Sequence, residues 1–235
     1  MIVREDRRRH RSDETRRRLL HYGTRVFAER GFDAATTRMV ADAAGVNQAA
    51  ILYHFGGKEG LYVAVAEEIA TRGRAAMGPY LSALPAPTSF AIPDDARAAL
   101  RSVLRGLVKG FVRLAGDGSA AAFIVREQAN PGPAFEQLYS AYIEPVHAHV
   151  TALVAAARSC AQDDPEAILT AHAIIGMALV FVTARETVLR RTTWRGYNRR
   201  RLEHIANVVA ALADGAIRSA ALSAGAMPKR TGSRD

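Results

Sequence analysis

The residues best placed to do chemistry in this chain lie in one run, TTRMVADAAGVNQAAILYHFGGKEGL at positions 36–61, and they suit recognition of a nucleic acid. The amide of Gln48 can form paired hydrogen bonds with an adenine edge, while Ala49, Ala50 and Leu52 can meet a thymine methyl. Lys58 opens a new helical pattern, where its ammonium and the free backbone amides both favour phosphate.

Such groups have to be presented by two short helices set at an angle. Gly45 can take the positive φ that ends a helix in a tight turn. Before it, Val40, Ala43 and Ala44 recur at three- and four-residue spacing, behind Thr36 and Thr37, either of which can cap the first turn. After it, Asn47 can cap a second helix in which Ile51 and Phe55 share a face, and Gly56 and Gly57 stop that helix before Lys58. This is the pattern of a helix-turn-helix. A glycine-turned corner also occurs in helical proteins that do not bind DNA, so the rest of the chain decides.

Charge favours a polyanionic partner: 32 Lys and Arg stand against 23 Asp and Glu, a formal net charge of +9. Eight arginines fall between Arg4 and Arg18, beside the reader. They read as a basic, disordered arm over 1–12, free to enter a minor groove or grip phosphates, or else simply a solvated tail. A second basic run, Arg190, Arg191, Arg195, Arg199, Arg200 and Arg201, reads as a solvated helix end or linker.

With 49% hydrophobic and 7% aromatic residues and long Ala-, Leu- and Arg-rich stretches, an all-α fold is expected. The periodicity predicts about nine helices: 13–30 with Gly31 as its stop, the pair above, 58–77, 94–115, 119–129, 133–158, 164–191 and 198–223. The division expected is a basic arm at 1–12, a helix-turn-helix domain at 13–60, a larger helical domain at 61–225, and a disordered tail at 226–235. Pro79, Pro85, Pro87 and Pro93 mark a linker. No apolar run is expected to reach the length of a membrane span, and the Arg-rich start has no apolar core after it, so a cytoplasmic protein without membrane contact is expected. Cys160 is the single cysteine, either a buried thiol or a redox sensor.

Catalysis finds little support. His147 and His149 are two residues apart on a helix and point to nearly opposite faces, so they cannot chelate one metal ion. There is no glycine-rich phosphate loop, and Glu127 or Glu136 as a base lacks an identifiable partner. We expect no enzyme, cofactor or metal. A protein that coats DNA uniformly would explain the charge but not the large apolar C-terminal half.

Residues 13–62 resemble the DNA-binding domain of the TetR/AcrR family of transcriptional regulators. The glycine-ended first helix, TTR, AGV-N, YHF and GGKEGLY all stand in the family's order and spacing. REQANPGPAFEQLY from Arg126 to Tyr139 and RETVLRRTTW from Arg185 to Trp194 resemble the ligand-binding domain of the CecR-like (YbiH-like) branch. The resemblance implies DNA contacts from Thr37 and Arg38, base reading by Gln48, Ala49, Ala50 and Leu52, and phosphate contacts from Tyr53, His54 and Lys58. Many family members carry a tyrosine where this chain has Leu52, which replaces a hydrogen bond by an apolar contact. His54 also has a plainer reading as a half-buried ring bonding its own backbone.

The resemblance further implies a repressor that binds a palindromic double-stranded operator as a homodimer and responds to a small-molecule effector; a ligand-responsive activator is the alternative. One recognition helix reads only a few base pairs, so two-fold pairing supplies the missing specificity. The last two helices offer the interface through Ile168, Ala171, Ile175, Ala178, Leu179 and Val182 and through Ile205, Val208, Val209, Leu212 and Ile217, unless these only fill the chain's own core. Candidate effector contacts are Phe111, Phe123, Arg126, Glu127, Phe135, Tyr139, Tyr142, His147, Met177, Phe181 and Arg185. The two arginines need Glu127, Glu144 or Glu186 as a partner, or an anionic ligand.

Overall fold

The computed structural model describes residues 2–81, 92–116 and 118–220, and every regular element among them is helical. The N-terminal part comprises α1 (Ile2–Ala34), α2 (Thr37–Ala44), α3 (Ala49–Phe55) and α4 (Lys58–Leu81). The larger part comprises α5 (Pro93–Ala115), α6 (Ser119–Ala129), α7 (Phe135–Leu138), α8 (Glu144–Arg158), α9 (Pro165–Thr183), α10 (Arg185–Thr192) and α11 (Arg199–Ala220). Pro85, Pro87 and the tail expected at 226–235 lie outside the described residues.

α1 continues to Ile2, through the segment expected as a disordered arm, and breaks where expected, at Gly31 with φ 75°. α1 to α3 and the start of α4 bury Leu19, Phe27, Val40, Ile51, Leu61 and Val65. α4 then runs on into the second half without interruption, so the boundary expected near residue 60 falls within its first turn. Pro79 sits in its last turn rather than in a linker, and Pro93 opens α5, where a missing N–H costs nothing.

α5 is the centre of the larger part, packed against α4, α8, α9 and α11 through Leu100, Val103, Leu104, Leu107 and Val108. Ion pairs from Arg101 to Asp214 at 2.9 Å and Lys109 to Glu203 at 2.7 Å set α11 against α5. Both pairs are partly exposed and screened by solvent, so the apolar faces hold the helix in place.

Two expected helices are not uniform. The stretch 133–158 contains a π-helical turn at Tyr139–Ile143. Pro145 has no N–H to give to the carbonyl of Ala141, and Arg74 of α4 donates to that oxygen instead, at 2.9 Å. The stretch 164–191 bends at Ala184, with φ −112° and ψ 30°, dividing α9 from α10.

The expectation that no apolar run is long enough to span a membrane is corrected. α9 has 19 residues and a mean hydropathy of 1.8, long and apolar enough by those measures, and is the one such helix among the described residues. Of the interface residues expected on the last helices, Ala171, Ile175, Ala178, Ile205, Val209 and Ile217 are buried within the chain. Ile168, Val208 and Leu212 are exposed, as are Leu169 and Val180, which were not among those expected. Helical periodicity marks a residue as apolar and facial but does not say whether its own chain covers it.

Candidate nucleic-acid interface and ligand cavities

The helix-turn-helix is built from local caps. The Thr36 hydroxyl accepts from the Met39 amide at 3.2 Å, starting α2. Gly45, at φ 60°, ends it: its amide donates to Asp42 O and the Val46 amide to Ala41 O, the paired bonds of a left-handed helix stop. The Asn47 side chain then accepts from the Ala49 amide at 2.8 Å and caps α3. Ile51 is driven into the core, which turns Leu52 and Tyr53 outward at 68% and 78% exposure.

Gln48, Ala49, Leu52 and Tyr53 share an exposed side of the reader by helical spacing, with Thr37 half-buried beside Gln48 and Arg38 exposed on α2. Gln48 Nε2 donates to Thr37 Oγ1 at 2.8 Å, tying the reader helix to the start of α2. Arg38 is exposed beside Asp42 at 3.7 Å. Ala50 departs from the expectation: it packs against the core, because it flanks Ile51 on the inward side of the helix. His54 is half-buried between the rings of Tyr53 and Phe55, at centroid distances of 4.9 and 6.0 Å.

Lys58 has a role in the fold as well. Its ammonium donates to Asp33 O at 3.1 Å and lies 4.5 Å from the Phe32 ring centre, holding the end of α1, past the break at Gly31, against α4. Two arginines of α1 reach the same region, Arg16 over the Phe55 ring at 5.4 Å and Arg18 beside Gly45. Lys58→Ala is expected to weaken binding to all DNA sequences and to lower the salt-dependence slope by about one. Titrations over a salt series check this; an unchanged slope assigns Lys58 to anchoring alone.

The two halves meet at a polar joint. Tyr62 of α4 donates to Glu127 Oε1 at 2.6 Å, and the Gly132 amide donates to Oε2 at 3.3 Å. Burial, then the bond to Glu127, holds the Tyr62 hydroxyl far above its ordinary pKa, so it remains a donor. Beside it, Arg126 Nε donates to Ala28 O at 3.3 Å and Nη2 to Glu29 O at 3.2 Å. Both carbonyls lie in the turn before the break at Gly31.

Two cavities lie in the C-terminal half. An outer one of about 850 Å³ is open between the end of α1, α5, α6 and the α9–α10 bend, and includes Arg126, Phe181, Arg185 and Tyr197 in its wall. An inner one of about 180 Å³ includes Phe111, Tyr142, His147 and His172. Of the expected effector contacts, Phe123 is core, set against Tyr62 at a centroid distance of 5.0 Å. Glu127 is committed to the joint. Phe135 and Tyr139 stack on each other at 5.8 Å away from either cavity, and Met177 packs on the core. These five lie outside both cavity walls for one reason: inward direction on a helix does not identify the neighbour across the gap.

His172 and Tyr197 were missed. His172 is a polar interruption in the apolar run AILTAHAIIGMALVFV, which is the one signal the chain carries for it. His172 Nδ1 and His147 Nε2 share a hydrogen bond of 3.1 Å across α8 and α9. Burial, then the charge of His172, lowers the His147 pKa. A folded pKa below the unfolded one means the unfolded chain takes the proton first, so stability is lost as pH falls through about 6.5. Urea unfolding at about pH 7.5 and about pH 5.5 is expected to show a smaller acid loss for His147→Asn than for the parent; equal losses would exclude His147. Among the described residues no three His, Cys, Asp or Glu gather to hold a metal. Burial, then Asp164, raises the Cys160 pKa, which disfavours the reactive thiolate.

Residues 19–65 match the family described as bacterial regulatory proteins, tetR family, and residues 96–219 match the C-terminal domain of the HTH-type transcriptional dual regulator CecR. The chain is 36% identical to CecR of Shigella flexneri over 200 residues, 84% of this chain and 88% of that protein. Its fold is similar to that of a TetR-like transcriptional regulator from Rhodococcus sp. RHA1, with a TM-score of 0.62, 17% identity and coverage of 87% of this chain and 96% of that one. It is similar also to AibR, solved in complex with isovaleryl coenzyme A and operator DNA, with a TM-score of 0.59, 16% identity and coverage of 84% and 97%.

Proposed function

The chain belongs to the TetR family of transcriptional regulators, with a CecR-type C-terminal domain, and from that premise we propose that it is a cytoplasmic homodimeric repressor. It binds a palindromic operator and leaves it when a small molecule fills the C-terminal cavities. The observation that carries this reading is the exposed side formed by Gln48, Ala49, Leu52 and Tyr53, on a helix whose other side is locked by Ile51. An apolar and an aromatic side chain left this exposed on a short capped helix suit a partner surface.

The exposed residues of α9 and α11, with Leu169 at 59% and Leu212 at 58% exposure, support dimerisation through these helices. Pairing these two helices with their copies would form a four-helix bundle, set the spacing of two readers and cover the apolar face of α9. Leu212→Glu is expected to yield a folded monomer with operator affinity lowered by more than about tenfold, since the second reader no longer acts at high local concentration. Sedimentation and operator titration measure both; a dimer of normal affinity would move the interface elsewhere.

The test of the whole reading is selection of bound sequences from a random DNA pool at near-physiological salt, where nonspecific binding is weak. An enriched inverted repeat is expected. Salt-sensitive binding without enrichment would point to a coating protein. The name dual regulator carried by the Shigella flexneri relative favours a second reading, activation at some promoters, which a reporter placed behind the selected sequence distinguishes.

A further inference from the structure

The outer cavity, at about 850 Å³, has the size of a small-molecule site, and its charged wall residues are Arg126 and Arg185. Neither cavity has an acidic residue in its wall among the described residues. The carboxylates next to these arginines in sequence are engaged elsewhere. Glu127 accepts from Tyr62 at 2.6 Å, and Glu186 from Arg190 at 2.7 Å. Arg126 bonds only neutral carbonyls of α1, and Arg185 lies 5.4 Å from the Tyr197 ring centre. The Tyr197 hydroxyl is itself buried with no hydrogen-bond partner. Two guanidiniums on walls whose described residues are otherwise mostly apolar and include no carboxylate call for an anion.

The two cavities are neighbours. Ala115, Ala121 and Val182 line both, so three small or branched side chains form the wall between them. Beyond that wall, Phe111, Ile124 and Ile175 offer an apolar berth.

We propose that the effector is an amphipathic anion, an acyl chain ending in a carboxylate or phosphate, whose head lies between Arg126 and Arg185 and whose chain passes Val182 into the inner cavity. This rests on the reading of the C-terminal half as an effector domain. The same site explains how binding reaches the DNA reader. A charged acceptor bonds a guanidinium about twice as strongly as a neutral carbonyl does, so the head group draws Arg126 away from Ala28 O and Glu29 O. α1 then keeps its packing on α6 but loses these two bonds to it, and the reader is held less firmly in the spacing that fits the operator.

The test is calorimetric titration of the full chain with dodecanoate, dodecyl phosphate and dodecanol, each below its aggregation concentration, for the parent and for Arg185→Gln. At least one of the two anions is expected to bind about tenfold or more tighter than dodecanol, and the one preferred identifies the head group. In Arg185→Gln that preference should fall to roughly threefold or less, with dodecanol binding unchanged. Equal affinity for the alcohol and both anions overturns the anionic head. An anion preference that survives Arg185→Gln overturns this placement, and no binding of any probe overturns the proposal entirely. Operator affinity of the unliganded protein, measured on the selected DNA, is independent of these titrations. Its failure counts against the regulator reading alone.

Discussion

Gly60→Ala is expected to damage the reader more than any other single methyl addition near it. Gly60 lies in the first turn of α4, and a Cβ placed there would be driven onto the backbone carbonyl oxygen of Phe55, the last residue of α3. A side chain could rotate away; a carbonyl at a helix end cannot, so α3 itself has to shift. Overpacking of this kind costs about 1–3 kcal/mol. The larger effect is on DNA, because a recognition surface tolerates displacement of only about 0.5 Å before its contacts fail, so operator affinity should fall by well over tenfold. Gly78→Ala is the control. It sits in the same helix with nothing within 4 Å of an added Cβ, and should be neutral or slightly stabilising in urea. If Gly60→Ala matches the control in both unfolding and operator titration, the α3–α4 junction is not the rigid link described here.

Glu127→Ala should produce the largest loss of stability. The carboxyl is 1% exposed, so its removal leaves the Tyr62 hydroxyl and the Gly132 amide stranded and opens a void between α4 and α6. An unsatisfied buried donor together with a cavity predicts about 2–4 kcal/mol. Tyr62→Phe removes only the hydroxyl and should cost about 1.5–3 kcal/mol, since the bond lost is to an acidic group. The two effects should not add: once Glu127 is gone, the tyrosine hydroxyl has nothing left to bond, and the double variant should be little worse than Glu127→Ala. Urea midpoints for the four proteins measure the coupling. Strictly additive costs would show that the joint between the halves does not depend on this pair.

The helix-turn-helix was legible in the sequence because its determinants are local. Thr36, Gly45 and Asn47 act on amides and carbonyls within five residues of themselves, and each does what its residue type suggests. The all-α class followed from composition and periodicity for the same reason. Lys58 was legible only in half. Its position at a helix start suggested phosphate, but its bond to Asp33 O depends on where α1 ends relative to α4, and no local rule gives that.

The effector site was far less legible. Phe111, Tyr142 and His147 in the inner wall, and Arg126, Phe181 and Arg185 in the outer, were among the expected residues; Phe123, Glu127, Phe135, Tyr139 and Met177 were equally plausible and lie elsewhere. The polar arginine and glutamate at 126 and 127 are adjacent in sequence, yet one faces a cavity and the end of α1 while the other is sealed against Tyr62.

Sequence by itself therefore determined the helices, their caps, the turn of the reader and the sign of its charge, because each of these depends on neighbours a few residues away. Tertiary structure alone decided which apolar residues of α9 and α11 stay exposed, what the buried carboxyl of Glu127 bonds, and how two cavities come to share a wall. The outer cavity draws its lining from Ala28 to Tyr197, and such an enclosure is set by the packing angles of whole helices, not by any pattern along the chain.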